Sequence, residues 1–138
     1  MVLIQKLLKE DIKKFENKNW LNWCRDIKKK YPPLTEAKRI AHNPIEPYYF
    51  IDKLIQEFSS DEVVVGGNGT AFLVPFQVGK VEKGQRYIWN SGDASMGYDL
   101  PAAIGACFAN NLKRTICLAG DGSIMMNLQE LQTIKHYN

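Results

Sequence analysis

The sequence predicts an α/β domain built on a parallel sheet and preceded by a helical segment. Three observations point there. Two short apolar runs, Val63-Val64-Val65 and Thr115-Ile116-Cys117-Leu118-Ala119, lack the polar alternation of a half-exposed strand and read as strands covered on both faces. Each run leads into a glycine-bearing turn, Gly66-Gly67-Asn68-Gly69-Thr70 and Gly120-Asp121-Gly122-Ser123. Around these strands lie stretches whose apolar residues recur at helical spacing, and helices alternating with buried strands produce parallel βαβ units.

The elements follow in order. Ile4, Leu7, Leu8, Ile12 and Phe15 form one buried stripe of a first helix. Trp20, Leu21, Trp23, Cys24 and Ile27 repeat the pattern behind Asn17 and Asn19, either of which can cap a second helix. Lys28-Lys29-Lys30 suits the negative end of that helix, and Tyr31-Pro32-Pro33 ends it. Residues 31–46 carry Pro32, Pro33 and Pro44 with little periodicity and read as a linker. The expected organisation is therefore a helical segment with linker over 1–45 and an α/β domain over 46–138. Pro47 can open a helix carrying Phe50, Ile51, Leu54, Ile55 and Phe58. A short helix is expected over 71–77, and another from Pro101 through Ala109. Asn127 and Glu130 form a capping-box pattern ahead of a helix bearing Leu128, Leu131 and Ile134.

Composition excludes several classes. The chain has 138 residues, 45% hydrophobic and 24% charged, the balance of a soluble globular domain rather than a disordered or collagen-like one. No apolar run is long enough to span a bilayer, and Lys6, Lys9, Glu10 and Asp11 come too early for a signal peptide. Cys24, Cys107 and Cys117 are odd in number and lack metal-type spacing, so they are expected as reduced, buried thiols of a cytoplasmic protein. Residues 1–40 carry 11 Lys/Arg against 5 Asp/Glu, while residues 41–138 carry 7 against 10. The basic segment is read as the solvated face of helices rather than a nucleic-acid or membrane arm, because Phe15, Trp20 and Trp23 fall at helical spacing. Trp20 and Trp23 are assigned to core or interface, Met125 and Met126 to core, His42 and His136 to the surface, and Asp93 to a turn.

Ligands of parallel α/β sheets bind at the carboxyl ends of the strands, beside helix N-termini. Both glycine turns lie there. Glycines let a backbone approach a phosphate, and Asp121 is suited to a magnesium ion bridging phosphate oxygens. The first turn fails the dinucleotide fingerprint, since Phe72 occupies the third glycine position, and lacks a P-loop lysine. Asp-Gly is also a common turn pair. By itself the pattern leaves open a metal–phosphate site, a purely structural turn in a non-catalytic interaction domain, and a nucleotide-binding domain.

The intervening segment narrows the choice. Ser91-Gly92-Asp93-Ala94-Ser95-Met96-Gly97-Tyr98-Asp99-Leu100-Pro101-Ala102-Ala103-Ile104-Gly105-Ala106, followed by Gly120-Asp121-Gly122-Ser123-Ile124-Met125-Met126-Asn127-Leu128-Gln129-Glu130-Leu131, resembles the diphosphate-binding domain of thiamine-diphosphate enzymes. Within them the resemblance is to the acetolactate synthase group of 2-oxo acid decarboxylases and carboligases. It covers residues 46–138, with residues 1–45 matching by position the helical tail of the family's middle domain.

The resemblance implies a flavodoxin-like parallel sheet with helices on both faces, and thiamine diphosphate and Mg2+ as cofactors. It makes Asp121 a metal ligand, with Gly120, Gly122 and Ser123 beside the diphosphate and the backbone N–H groups of Gly122 and Ser123 facing it. Gly69 and Thr70 match the turn on the diphosphate's other side. Met96 matches the wedge under the cofactor's bend, and the backbone at Ala94 and Met96 the contacts to its aminopyrimidine ring. Such a bend sets the ring's amino group against the thiazolium carbon, while the protein orients the cofactor that carries the chemistry. Asp99 stands where the family pattern has glycine. The family's second metal ligand and the glutamate that activates the aminopyrimidine fall outside these residues. No catalytic residue is therefore assigned, and this polypeptide is expected to be inactive alone, as a piece of a larger enzyme. The implied partners are a 2-oxo acid such as pyruvate and the pyrimidine-binding domain of another subunit in a homo-oligomer.

Overall fold

The computed structural model describes residues 2–7, 17–40 and 43–137, and the chain separates into two compact units, Met1–Pro32 and Pro33–Asn138. The first unit holds helix α1 (Val2–Leu7) and helix α2 (Lys18–Lys30). The remainder of the first predicted stripe, Leu8, Ile12 and Phe15, lies outside the described residues, as does His42. Asn17 caps α2 as expected, its Oδ1 accepting from Trp20 N at 3.0 Å. Trp20 and Trp23 stack with ring centroids 5.0 Å apart, yet both are more than half exposed. They are not core residues of this unit, because α2 has no buried residue at all.

The second unit begins with a correction to the expected linker. Glu36–Ile40 forms a short helix, α3, started by Thr35, whose hydroxyl accepts from Lys38 N at 3.4 Å. Flanking prolines hide it from a periodicity argument. Helix α4 (Pro47–Gln56) opens at Pro47, with the Glu46 carboxylate accepting from Tyr49 N. Strand β1 (Val63–Gly66) follows, then helix α5 (Thr70–Val78), which spans the expected 71–77 and contains Pro75. Strand β2 (Arg86–Trp89) has no counterpart among the expected elements. Helix α6 (Asp99–Ala109) starts two residues before Pro101, and strand β3 (Thr115–Leu118) lies where the second apolar run placed it.

The three strands form one parallel sheet in the order β2-β1-β3, pairing Val63 with Arg86 on one side and with Thr115 on the other. Every residue of β1 is buried, which is why its sequence is continuously apolar. Burying one such valine contributes about 1.5–3 kcal/mol. The core gathers Val63, Val65 and Ala103, with Ile88, Ala102, Ala106 and Cys117 packed against them. Alanines on α6 let that helix lie close over β1 and β3. At the amino ends of the strands the buried Glu62 pairs with Arg114.

Beyond β3 the chain forms helix α7 (Asp121–Met126) and helix α8 (Glu130–Tyr137). The predicted capping box is absent. Asn127 Nδ2 instead donates to Gly97 O at 2.6 Å, and Asn127 contributes only its carbonyl to Glu130 N. Met125, Met126, Leu128, Leu131 and Ile134 are exposed rather than core. The three cysteines are free, as expected, but only partly buried. Among the described residues no helix is long and apolar enough to cross a membrane.

Candidate functional site

The strand order dictates where a ligand can enter. From β1 the chain steps sideways to β2, then returns across β1 to form β3. The helices that follow β1 and β3 pack on different partners, α5 on α4 and α8 on α6, and a crevice lies between the two strand ends. A cavity of about 600 Å³ occupies this position. Gly69 and Thr70 line it from the β1 side, and Gly120, Asp121, Gly122 and Ser123 from the β3 side. Met96 lines it from the loop between β2 and α6, while Pro47, Phe50 and Ile51 of α4 add an apolar wall. Seven of the eight residues singled out from sequence thus share one cavity. Ala94 does not line it. It sits in a left-handed conformation, φ 52°, with its N–H donated to Asn90 O at 3.1 Å.

Among the described residues that line the cavity, Asp121 supplies the only charged side chain, and there is no lysine or arginine. Its carboxylate is exposed, and Oδ1 accepts from Gly122 N at 2.8 Å. An anionic ligand here would meet a carboxylate with no side-chain cation to offset it, so a bound cation is the chemically consistent companion. Among the described residues no three His, Cys, Asp or Glu side chains converge as a closed metal cage. Asp121 is the side chain of the lining that would hold such an ion.

Cys117 also lines the cavity, and burial, with the Asp99 carboxylate adding to it, pushes its thiol up to about 11. It stays protonated at neutral pH and is no nucleophile.

Asp99 was given no role from sequence, and Ser123, assigned there to the diphosphate, has a second, structural role. Asp99 is 0% exposed and Ser123 2%. Ser123 Oγ donates to Asp99 Oδ2 at 2.5 Å and accepts from Gly97 N at 2.8 Å. Asn127 holds the carbonyl of the same Gly97. Gly97 has φ +84°, and a β-carbon there would lie 2.8 Å from Asn127 Nδ2. The only sequence signal was Asp99 replacing an expected glycine. Its partner lies 24 positions away, beyond the reach of any local pattern.

A parallel sheet with glycine turns and one carboxylate around a crevice at its carboxyl ends defines an α/β ligand-binding domain of the switch-point class. Comparison with known proteins specifies it. Residues 67–138 match the family described as thiamine pyrophosphate enzyme, C-terminal TPP binding domain, and the chain belongs to that family. It is 38% identical over 125 residues to the acetolactate synthase large subunit of Cyanidium caldarium, covering 90% of this chain and 20% of that protein. It is 34% identical over 135 residues to the large subunit of Porphyra purpurea, covering 95% and 22%. With acetolactate synthase isozyme 1 large subunit of Escherichia coli (strain K12) the identity is 29% over 115 residues, covering 83% and 20%. The chain spans about a fifth of the length of these relatives.

Proposed function

We propose that this chain supplies the thiamine-diphosphate and Mg2+ site of an acetolactate synthase-like enzyme that decarboxylates a 2-oxo acid such as pyruvate and transfers the product to an acceptor. The observation that carries this reading is the cavity itself, where Gly69, Thr70, Met96 and Asp121 converge although they are scattered over more than fifty positions. The two glycine turns hold the diphosphate from opposite sides. Asp121 holds the metal ion, and Met96 props the cofactor from below. Bound there, the cofactor supplies an electron sink for cleaving the bond next to a 2-oxo group. The protein's part is to bind, orient and shield it.

On this reading residues 1–45 are the helical tail and linker of a preceding domain, and residues 46–138 the first part of the cofactor domain. Among the described residues that line the cavity there is no glutamate and no carboxylate besides Asp121. Residues 1–138 alone are expected to release no carbon dioxide from pyruvate supplied with thiamine diphosphate and Mg2+. A pyrimidine-binding domain from another subunit completes the site within a homo-oligomer. Three free cysteines are consistent with a reducing compartment such as the cytoplasm.

Calorimetric titration with thiamine diphosphate, with and without Mg2+, tests the assignment. Wild type is expected to bind in a Mg2+-dependent manner and Asp121→Ala to lose that dependence. Identical Mg2+-dependent binding by the two proteins would refute the metal assignment. The Asp121–Gly122 hydrogen bond would then be the whole role of the turn.

A further inference from the structure

Ser123 lies in the cavity wall, yet its hydroxyl is not available to a ligand. Its single proton is directed to Asp99 Oδ2, and its oxygen accepts the Gly97 N–H. Asp99 Oδ1 accepts from Leu100 N at 3.0 Å, which ties the carboxylate to the first turn of α6. Gly97 is held through both of its backbone polar groups by side chains of the segment after β3, its N–H by Ser123 and its carbonyl by Asn127. Met96 precedes that glycine, and its Cε lies 3.0 Å from where a β-carbon on Gly122 would be. The segment carrying Met96 and the turn carrying Asp121 are therefore fastened together through Gly97.

From this geometry we propose that Asp99 is a positioning residue. Through Ser123 it sets the register between the Met96 wedge and the Gly120-Asp121-Gly122 turn, so that a ligand spanning both meets them at a fixed separation. The proposal rests on the cofactor reading above and extends it to residues that touch no ligand. A carboxylate is suited to the task because it only accepts. It compels the serine hydroxyl to donate toward it and so keeps a lone pair on Gly97 N–H. Nearly complete burial removes water as a competing partner.

The test compares two probes on the same protein. Thiamine diphosphate with Mg2+ spans both the wedge and the turn, whereas inorganic pyrophosphate with Mg2+ reaches only the turn. Asp99→Ala is expected to weaken thiamine diphosphate about tenfold while leaving pyrophosphate within about twofold, and Ser123→Ala to weaken thiamine diphosphate about tenfold. The double variant is expected to be no worse than either single one, because both break one chain of bonds. Asp99→Asn retains an acceptor oxygen and is expected to recover most of the loss. Amide hydrogen exchange supplies a ligand-free readout. Gly97 N–H is expected to be protected in wild type and to exchange quickly in Ser123→Ala, with Val65 N–H unchanged as the marker of an intact sheet.

Equal weakening of both probes by Asp99→Ala, or a Gly97 N–H unprotected in wild type, overturns the positioning role. Asp121→Ala separates that failure from a failure of the site. If Asp121→Ala leaves Mg2+-dependent binding intact, the cofactor reading falls and the positioning role with it. If Asp121→Ala abolishes that binding while the Asp99 and Ser123 variants bind both probes as wild type does, only the positioning role falls. Should Asp99→Ala fail to fold, Ser123→Ala decides the question, since it removes the hydroxyl without leaving a cavity of any size.

Discussion

The two strand-end turns look alike in sequence and differ in what their glycines do. After β1, Gly67 is buried against the start of α6, and a β-carbon there would lie 2.3 Å from Asp99 Oδ2. After β3, a β-carbon on Gly120 would meet no atom within 4 Å, and its backbone is ordinary extended chain with φ −77°. Gly67 is a glycine because a neighbouring side chain occupies the space, whereas the space beside Gly120 is open; within the same turns Gly69 meets no atom within 4 Å and a β-carbon on Gly122 would lie 3.0 Å from Met96 Cε. A glycine count alone cannot separate crowding from clearance.

The largest effect that would sharpen this contrast is on ligand binding. Asp121→Ala is expected to abolish Mg2+-dependent thiamine diphosphate binding, with thermal stability nearly unchanged because the side chain is exposed. Asn68→Ala, in the first turn, is expected to keep the Mg2+ dependence. Titration calorimetry of the pair checks both, and loss of the dependence in Asn68→Ala would erase the distinction between the turns.

Stability comes next. Gly67→Ala forces its new methyl group onto Asp99 and is expected to cost about 1–3 kcal/mol in denaturant unfolding. Gly120→Ala is expected to stay within about 0.5 kcal/mol of wild type, a weaker helix cap offsetting a less flexible unfolded chain. Equal losses at the two positions would break the comparison.

Cys117, at the cavity side of β3, gives a subtler signal. With its thiol pushed up to about 11, alkylation at pH 8 is expected to run about a hundredfold slower than for a free cysteine thiol. The same shift bears on stability. A folded-state value above the unfolded one gives a contribution fully present below about 8.5, the ordinary thiol value. It is lost as pH rises through that value toward about 11. Alkylation rates and pH-dependent unfolding of Cys117→Ala against wild type check this.

The smallest effect lies at the other end of the sheet. Lys113 donates to Asp61 at 2.7 Å, and that bond, with the lysine's charge, holds the Asp61 carboxyl below its usual range. A depressed value means that the stabilisation is present above about 3.9, the ordinary carboxylate value, and fades as pH falls through the folded one. Both groups are exposed, so Asp61→Asn is expected to shift acid unfolding only slightly and to leave binding untouched.

How much was legible in the sequence follows from which interactions are local. Val63-Val64-Val65 announces β1 because a strand buried on both faces must be apolar throughout. β2 escaped notice because, among the described strands, it lies at the sheet edge with an exposed Arg86, and its Trp89 packs beside Phe72 in a contact that no short window contains. The glycine turns and Met96 were readable as motifs, and the strand order then placed them around one cavity. Ala94 was assigned with its neighbours but is not among the residues lining the cavity. Asn127 has the spacing of a capping residue, yet its amide is used on Gly97 thirty positions earlier. Met125 and Met126 looked like core by composition, although their helix presents them outward. Local chemistry was visible, whereas partnerships across 24 to 30 positions were not.

Parallel pairing of β1 with β3 joins Val63 to Thr115, so about fifty residues must be looped before the first ladder bond compensates the lost chain entropy. Both walls of the cavity and the hold on Gly97 exist only after that closure. Competence to bind is thus acquired late in folding. A ligand that recognises only the closed sheet acts on the folding equilibrium itself, raising the population of paired β1 and β3 by mass action.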